Sequence, residues 1–542
     1  MSKPSPQDGP ALPIAAMPRL SRGEILFLLG LFLLPILLYL PFAGAPFERD
    51  EGVYATIAQG VLDGNVPYRD LFDNKPPLVY IWYALSFTLM GESVFAPRIL
   101  AAVCLSLTTL VLFNQARLVL PLPAARIAAG LFAISTGLPW VALHANTEAY
   151  MLLPLVSSLM FFTIGMKDGR LRWFVVAGLL AGLAIMTKQV AMWNLLALAM
   201  VSLIWHRRTA ETQLRAAAPT LALFGGALVS MAAVALPFTL MGALDDLIYA
   251  NLSYNWLYIN FLTYAERLAN FGNGLLFFSA VAAPFVAGAI AGLIVLWRKR
   301  SSTTDYVLIL WAIASAIGVA SGGRFFPHYF LQLMPSLAVL TGVLIYDRFV
   351  NGSDRVLSRP AWMIATFLIV VSVGTTSVIY LAPRQAEEQV ASSVYHQKEW
   401  EANSEALGAY IKERTEPGDL IFNYGRESQV YFYADRQPAI PYFYDWVLEY
   451  DEGALAEVLA GLEKARPFYF IDSAQAPLFD DWAAAHPPEL RAFVSENYEY
   501  VGRIYFADVY RLKGRSVQAS SGASAGASSE LNPFVTDNYT LE

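Results

Sequence analysis

The chain has 542 residues, of which 56% are hydrophobic and only 15% are charged. A soluble chain of this length needs more charge on its surface, so the composition indicates a polytopic membrane protein. The net charge of −7 provides no attraction to nucleic acid, which we exclude as a partner. Cys104 is the single cysteine and lies in an apolar run, which excludes a disulfide framework and a cysteine metal cluster.

Apolar runs along the chain predict eleven membrane-spanning helices. A helix rises about 1.5 Å per residue and the hydrocarbon core is about 30 Å thick, so roughly 20 residues span it. The run 76–91 begins with two prolines and reaches only about 24 Å, so we predict that it lies in the membrane interface. The predicted spans are 25–42, 99–116, 127–147, 149–166, 173–187, 189–205, 216–244, 268–297, 306–323, 325–346 and 360–383.

Lysine and arginine residues set the orientation of these spans, because they accumulate on the cytoplasmic side. With 76–91 in the interface, 16 of the lysines and arginines flanking the spans fall inside and 7 outside. If 76–91 crossed the membrane, 6 of these lysines and arginines would lie inside and 17 outside. We therefore predict a cytoplasmic N-terminal segment, 1–23, and a first outer loop, 43–98, that carries interfacial helices.

The composition changes abruptly after Ala382, which divides the chain into a transmembrane domain, 24–383, and a C-terminal part. Residues 384–512 alternate helical and strand patterns, which predicts an α/β domain on the outer side. The segment 513–542 is rich in Ser, Ala and Gly and is predicted to be disordered. The predicted helices are Glu399 to Arg414 and Glu452 to Arg466, and the predicted strands are Leu420 to Asn423, Pro467 to Ile471 and Val501 to Leu512.

The first outer loop concentrates charge at a membrane boundary, where desolvation makes charge costly. Glu48-Arg49-Asp50-Glu51 directly follows the first span, and Lys75 precedes two prolines. Purely structural explanations exist for both. Asp50 has the position of an N-cap for a helix lying along the membrane surface, and Lys75 has that of a lysine snorkelling at the start of an interfacial helix.

Three later segments on the predicted outer face also carry polar residues. Asn146 and Glu148 lie between two spans, Lys188-Gln189 interrupts two apolar stretches, and Arg324 is followed by His328-Tyr329. Singly, each is compatible with an ordinary residue at a span end. Together they place acids and cations on one face of the membrane, as expected of an active site.

This set of residues suits chemistry on an anionic lipid. Cations such as Lys75 and Arg324 are suited to hold a phosphate by charge-assisted hydrogen bonds, and Asp50 is suited to accept a proton from an incoming hydroxyl. If the phosphate is the leaving group of a lipid-linked sugar, fixed cations stabilise the negative charge that grows on it in the transition state. One acid on the opposite face of the sugar then suffices for a single, inverting displacement.

Several motifs resemble those of GT-C glycosyltransferases of the protein O-mannosyltransferase and aminoarabinose transferase superfamily. The resemblance covers nearly all of residues 24–380, and within the superfamily the chain is similar to bacterial members. The motifs are Asp50-Glu51-Gly-Val-Tyr-Ala, Asn74-Lys75-Pro-Pro-Leu, Ala96-Pro97-Arg98, Asn146-Thr-Glu148, Leu183-Ala-Ile-Met-Thr-Lys188-Gln189 and Arg324-Phe-Phe-Pro-His328-Tyr329-Phe-Leu-Gln332. The aminoarabinose transferases carry an acidic residue immediately before the lysine, where this chain has Asn74, with Asp73 one step earlier.

The resemblance implies roles for individual residues. Asp50 would be the catalytic carboxylate, with Glu51 supporting the site or orienting the acceptor. Donor phosphate binding is implied for Lys75, Arg324, His328 and Tyr329. Supporting or acceptor-side roles are assigned to Tyr54, Asp73, Asn146, Glu148, Lys188 and Gln189.

The hypothesis is therefore an inverting glycosyltransferase with a GT-C fold in a bacterial inner membrane, its active site on the periplasmic side. The donor would be a polyprenyl-phosphate-linked sugar and the acceptor a lipid, a glycan or a protein. No cofactor is required, although a divalent cation bound by Asp50, Glu51, Asp73 and His328 stays open. The alternative function is a transporter or flippase of lipid-linked saccharides, which is less favoured because the polar residues lie at one face and no matching halves are seen.

Overall fold

A computed structural model describes residues 21–138, 144–210, 212–299, 303–350, 400–445, 447–448, 451, 453–474 and 486–515. The predicted span 360–383 and the boundary predicted near residue 383 lie outside these residues. So do residues 1–20 of the predicted cytoplasmic segment and residues 516–542 of the predicted disordered tail.

The part of the described chain before residue 351 is helical. Its α-helices are α1 (Arg22–Tyr39), α2 (Arg49–Leu62), α3 (Leu78–Met90), α4 (Phe95–Val119), α5 (Leu122–Ser135), α6 (Thr147–Asp168), α7 (Leu171–Ile185), α8 (Met192–Thr209), α9 (Gln213–Leu240), α10 (Leu244–Ile248), α11 (Tyr254–Asn260), α12 (Tyr264–Val281), α13 (Ala283–Lys299), α14 (Thr303–Ser321) and α15 (Met334–Ile345). A short 3₁₀ helix, Pro327–Leu333, leads into α15.

Length and apolar character identify the membrane-crossing helices. Among the described residues, 6 helices are long and apolar enough to cross, and a bent pair makes 7 if counted as one span. Helices α5, α7 and α14 are apolar but shorter. The chain is therefore a multi-pass membrane protein, as predicted, whereas the total of eleven spans stays a prediction. The six long segments are Arg22–Phe42, Phe95–Val119, Thr147–Asp168, Gln189–Arg208, Gln213–Leu240 and Pro327–Val350.

Two predicted spans differ from the structure. The run 268–297 is not one straight helix, because Tyr264–Ser279 and Ala283–Arg298 meet at an angle of 94°. The run 127–147 contains only the end of α5, which stops at Ser135, and α6 starts separately at Thr147. Apolar composition alone does not reveal such breaks, because both sides of a break are equally apolar.

Close contact between helix backbones holds the bundle together around α7. Gly178 of α7 faces the backbone of Leu223 in α9, and Gly226 of α9 faces the backbone of Val175 in α7. A side chain at either glycine would overlap the opposite backbone. Small residues allow this approach, which is how helices associate where lipid removes the hydrophobic driving force.

Helix α2 is buried within the protein, and its position along the membrane surface stays a prediction. All residues from Glu51 to Ala58 are buried, and α2 packs against α3 on one side. Its first turn is capped by Glu48 in a capping box with Glu51, so Asp50 is not the N-cap. Helix α3 has 13 residues and is roughly 20 Å long, too short to cross a membrane.

The C-terminal segment, residues 400–515, contains a small mixed sheet. Its four described strands have the order β1-β2-β4-β3, with β1 parallel to β2 and the other two pairs antiparallel. The predicted strand Val501 to Leu512 is in fact a hairpin that turns at Tyr505, where φ is +57°. The elements are α16 (Trp400–Lys412), β1 (Ile421–Tyr424), α17 (Gln429–Ala434), α18 (Ala454–Ala465), β2 (Tyr469–Asp472), α19 (Pro488–Asn497), β3 (Tyr498–Ile504) and β4 (Ala507–Leu512).

Helix α17 of the C-terminal segment packs directly against α2, on the side that α3 does not cover. The backbone amide of Phe47 donates to the hydroxyl of Tyr433 at 2.7 Å, and that of Phe72 donates to the carbonyl of Pro441 at 2.9 Å. One continuous hydrophobic core contains buried residues from both parts of the chain. This second layer of protein explains why α2 is buried.

Gly52 is the point of closest approach between α2 and α17. A Cβ at this position would lie 2.6 Å from the backbone nitrogen of Gln429. We expect Gly52→Ala to lower the free energy of unfolding by about 1–3 kcal/mol, because the backbone of α17 must shift. Thermal unfolding of the purified protein measures this effect.

The control is Gly130→Ala in α5, where an added Cβ meets no atom within 4 Å and equal or higher stability is expected. Equal melting temperatures for wild type and Gly52→Ala would contradict this packing.

Candidate active site

A buried ion pair fixes the first turn of α2. Both side chains are essentially inaccessible, and Arg98 of α4 donates to Glu51 through Nη2 at 2.6 Å and Nε at 3.1 Å. Burial alone would raise the pKa of Glu51, but the charge of Arg98 outweighs it and holds the pKa well below its usual value. Glu51 is therefore ionised and fully engaged within the protein, which fits the supporting role implied for it.

The same pair organises the loop before α2. Arg98 also donates to the backbone carbonyls of Phe42, Ala45 and Pro46. Glu51 accepts the amide of Ala145 at 2.7 Å. His144 lies 3.6 Å from Glu51, and although burial opposes its charged form, this carboxylate raises the pKa of His144 to about 9.

Asp50, next to this pair, faces an open cleft. Its side chain is partly exposed, and no described residue pairs with its carboxylate. The lining residues of the cleft are Arg49, Asp50, Val53, Tyr54, Asp73, Lys75, Arg426, Ser428 and Tyr444.

Lys75 lines the same cleft and supplies a cation without an ion-pair partner. Its ammonium donates to the amide oxygen of Asn74 at 3.0 Å, and no described carboxylate lies within ion-pair distance. Burial would lower the pKa of Lys75, but the carboxylates of Asp73 and Asp50 outweigh it and raise the pKa above the usual value. Lys75 is therefore charged and available to an anion.

Side chains from distant helices hold the backbone around Lys75. The amide nitrogens of Gln189 and Asn255 donate to the carbonyl of Asn74 at 3.0 and 2.8 Å. The hydroxyl of Tyr68 donates to the carbonyl of Lys75 at 2.7 Å, and the hydroxyl oxygen of Tyr80 lies 3.2 Å from the same carbonyl. Gln189 thus contacts the backbone of the lysine loop, and the supporting role assigned to it stays a prediction.

Asp73 is held by two tyrosines from different parts of the chain. Tyr80 of α3 donates to Oδ2 at 2.8 Å, and Tyr444 of the C-terminal segment donates to Oδ1 at 3.0 Å. The carboxylate is 3% exposed, so these two hydroxyls replace the water it loses. Asp73 is then a fixed negative charge beside Lys75.

A second buried pair lies on the other side of the site. Lys188 forms an ion pair with Glu148 at the start of α6, and its ammonium lies 3.9 Å from the ring centroid of Tyr329. Burial lowers the pKa of Lys188. Next to this pair, Asn146 is 3% exposed, and neither of its amide atoms has a hydrogen-bond partner among the described residues.

The predicted site residues of the segment that begins at Arg324 lie in the same part of the structure as Lys75 and Lys188. The guanidinium of Arg324 lies 4.4 Å from the ring centroid of Tyr258, and Tyr258 interacts electrostatically with Lys75 and Asp50. His328 is buried against Tyr329 and lies within electrostatic range of Lys188 and Asp50. The structure thus brings the predicted residues from all four segments together.

Several residues of the site were missed by sequence reasoning. Tyr258 of α11 connects Lys75 to Arg324, while Arg426, Ser428 and Tyr444 enter the cleft from the C-terminal segment. Their contacts join positions from separate elements, such as Asp73 with Tyr444, and show no local motif. A possible signal was the accumulation of tyrosines, 28 in the chain, since a buried tyrosine usually has a polar partner.

The residues considered for a divalent cation do not gather into a ligand set. Among the described residues, no group of three or more His, Cys, Asp or Glu side chains converges. Glu51 is occupied by Arg98, and Asp73 by its two tyrosines. Asp50 and His328 remain near each other without a third ligand.

Comparisons with known proteins agree with this geometry. Residues 74–238 match the family described as dolichyl-phosphate-mannose-protein mannosyltransferase. The chain is 26% identical over 302 residues to an undecaprenyl phosphate-alpha-4-amino-4-deoxy-L-arabinose arabinosyl transferase of Pseudomonas fluorescens, covering 52% of each chain. It is 27% identical over 349 residues to the corresponding transferase of Pseudomonas savastanoi, covering 61% of this chain and 62% of the relative. The chain therefore spans about half to two thirds of the length of these relatives.

A solved structure shares the fold over nearly the whole chain. ArnT from Cupriavidus metallidurans bound to undecaprenyl phosphate has a TM-score of 0.57 and 15% identity, covering 91% of this chain and 98% of its own. Its apo form has a TM-score of 0.54 at the same identity, covering 90% of this chain and 97% of its own. The fold is that of a polytopic GT-C glycosyltransferase, which confirms the predicted fold class. The chain is therefore similar in sequence to bacterial aminoarabinose transferases and, over residues 74–238, to the mannosyltransferase family.

Replacing Glu51 tests whether its ion pair is structural. Glu51→Gln leaves Arg98 buried without its counter-charge, so we expect a loss of about 3–5 kcal/mol in the free energy of unfolding. The control is Glu499→Gln, which breaks the exposed pair of Glu499 with Arg511 and should cost less than about 1 kcal/mol. Both variants are compared with wild type by denaturant unfolding. Similar stabilities for the two variants would show that Glu51 does not hold α2.

Proposed function

We propose that this protein is an inverting glycosyltransferase that moves a sugar from a polyprenyl-phosphate donor to a hydroxyl of a lipid, glycan or protein. The observation that carries the proposal is that two charged side chains of opposite sign line the same cleft. The carboxylate of Asp50 and the ammonium of Lys75 both line it, and neither has an ion-pair partner among the described residues. Its curated relatives are named as transferases that use undecaprenyl phosphate, which supports the choice of donor.

The proposed reaction is a single displacement at the anomeric carbon. The acceptor hydroxyl attacks this carbon while the bond to the phosphate oxygen breaks, and the bonding electrons leave with the polyprenyl phosphate. Asp50 takes the hydroxyl proton, which makes the attacking oxygen more nucleophilic as the bond forms. The sugar passes through an oxocarbenium-like transition state and its configuration inverts.

The cations act on the leaving group. Negative charge grows on the phosphate as the bond breaks, so Lys75 and Arg324 stabilise the transition state more than the ground state. The polar side chains around the leaving phosphate also include Tyr258, Tyr329 and His328. Asp73 keeps Lys75 protonated and is itself fixed by tyrosines, so the cation needs no rearrangement during the reaction.

We also propose the cellular location from the distribution of positive charge. The 16-to-7 excess of lysine and arginine at one side of the predicted spans assigns that side to the cytoplasm of a bacterial inner membrane. The cleft and the C-terminal segment then face the periplasm. The proposal requires no cofactor, because Asp50 supplies the base and the lysine and arginine side chains supply the positive charge.

Asp50→Asn removes the base while keeping the shape of the side chain. We expect transfer to fall by about 10²–10⁴-fold, with donor binding unchanged. Mass spectrometry of polyprenyl-phosphate sugars and surface glycans from cells expressing each form measures transfer, and native mass spectrometry with undecaprenyl phosphate measures binding. Asp63→Asn, an exposed carboxylate at the other end of α2, is the matched control and should transfer normally. Normal transfer by Asp50→Asn would refute the role as base.

Lys75→Ala removes one charged partner of the phosphate. A hydrogen bond to a charged group is worth about 1.5–3 kcal/mol, so the Kd for undecaprenyl phosphate should rise by roughly 10-fold to 150-fold. Titration of the purified protein in nanodiscs gives this Kd. The control is Arg69→Ala, which removes an exposed cation of the same loop that is paired with Asp70. If Lys75→Ala and wild type have the same Kd, Lys75 does not bind the phosphate.

A further inference from the structure

The C-terminal segment contains a second cavity that is separate from the cleft around Asp50. It has a volume of about 260 Å³ and lies between α19 and the face of the sheet. Small-molecule sites are concave and combine an apolar lining with a few polar groups. Its lining residues in the described chain are Phe470, Asp472, His486, Leu490, Arg491, Val494, Ser495, Tyr498, Tyr500 and Tyr510.

The lining combines aromatic rings with a few convergent polar groups. Tyr500 and Tyr510 lie with their ring centroids 5.3 Å apart on the sheet side, and Tyr500 is 58% exposed. The carboxylate of Asp472 and the ring of His486 form a buried pair at 2.8 Å. From α19, Arg491 contributes an enclosed Nε that has no hydrogen-bond partner among the described residues.

The cavity lies where a sheet of this kind usually binds ligands. Asp472 is the last residue of β2 and pairs in register with Tyr424, the last residue of the parallel strand β1. Ligands of α/β sheets bind outside the carboxyl ends of parallel strands. His486, which lines the cavity, contacts Tyr424 at the end of β1 with their ring centroids 4.9 Å apart.

The end of β1 also adjoins residues of the cleft around Asp50. Arg426, which lines that cleft, follows Tyr424 by two residues. The backbone carbonyl of Gly425 between them accepts the amide of Asp445, next to the cleft residue Tyr444. Residues next to one strand end therefore line both cavities.

We propose that this second cavity binds a pyranose unit of the acceptor, at a distance from the hydroxyl that is modified. The exposed ring of Tyr500, with the ring of Tyr510 beside it, offers a flat apolar face for the C–H face of a sugar. The enclosed Nε of Arg491 and the buried pair of Asp472 with His486 supply polar groups for its hydroxyls. The binding of a saccharide is independent of the transfer reaction, whereas its assignment to the acceptor rests on the proposed function.

Saturation-transfer difference NMR on the full chain in nanodiscs tests the binding site. The probes are the methyl glycosides of mannose, galactose, glucose, N-acetylglucosamine and glucuronic acid at millimolar concentration. We expect signal from at least one of them, and a loss of affinity of about tenfold or more in Tyr500→Ala and in Arg491→Ala. Tyr505→Ala is the matched control, since Tyr505 is exposed on the same hairpin but does not line the cavity. Absence of signal from all five probes, or unchanged affinity in both cavity variants, overturns the site.

A second measurement tests the assignment to the acceptor. In cells expressing Tyr500→Ala, we expect less sugar on the surface glycans by mass spectrometry, while the purified variant binds undecaprenyl phosphate with an unchanged Kd. Normal glycan modification overturns the acceptor assignment. If wild type binds a pyranose but transfers no sugar, the cavity is confirmed and the proposed function fails, so the two failures are distinguishable.

Discussion

The ion pair between Glu51 and Arg98 is the interaction on which the rest of the site depends. Two charges removed from water gain stability only when their geometry is good and their remaining hydrogen bonds are satisfied. Here Arg98 also binds three loop carbonyls, and Glu51 also binds the amide of Ala145. The pair therefore fixes the start of α2, the loop before it and the loop before α6 in one arrangement. Asp50, one residue before Glu51, is directed into the cleft as a consequence.

The C-terminal segment completes the site rather than merely accompanying it. Its helix α17 packs so closely on α2 that Gly52 has no room for a side chain. Arg49 of α2 forms a 2.6 Å ion pair with Glu427, and Thr56 donates to the carbonyl of Ser428 at 3.3 Å. These contacts bring Arg426, Ser428 and Tyr444 to the cleft. A change in the position of this segment would therefore alter the walls of the cleft, the surroundings of Asp73 and, through Asp73, the charge balance at Lys75.

Neighbouring acidic residues have different environments and therefore different roles. Glu51 and Asp73 are buried, but each has partners that replace its water, Arg98 for the first and two tyrosines for the second. Asp50 directly precedes Glu51 in the sequence and stays partly exposed, without a partner among the described residues. A carboxylate already held by strong donors is a poor proton acceptor, because protonation would break those bonds. This contrast favours Asp50 as the base among the three.

The sequence by itself determined the membrane character, the number of candidate helices to within a few, and most of the charged residues that meet in the site. These depend on local composition and on lysine and arginine counts, which are present in the linear chain. It did not determine the burial of α2, the capping of that helix by Glu48, the break between α12 and α13, or the entry of Tyr258 and Tyr444 into the site. Those features arise from contacts between segments far apart in the chain, such as α2 with α17 and Asp73 with Tyr444. Only the tertiary structure brings these segments together, because the burial of a side chain depends on what packs over it.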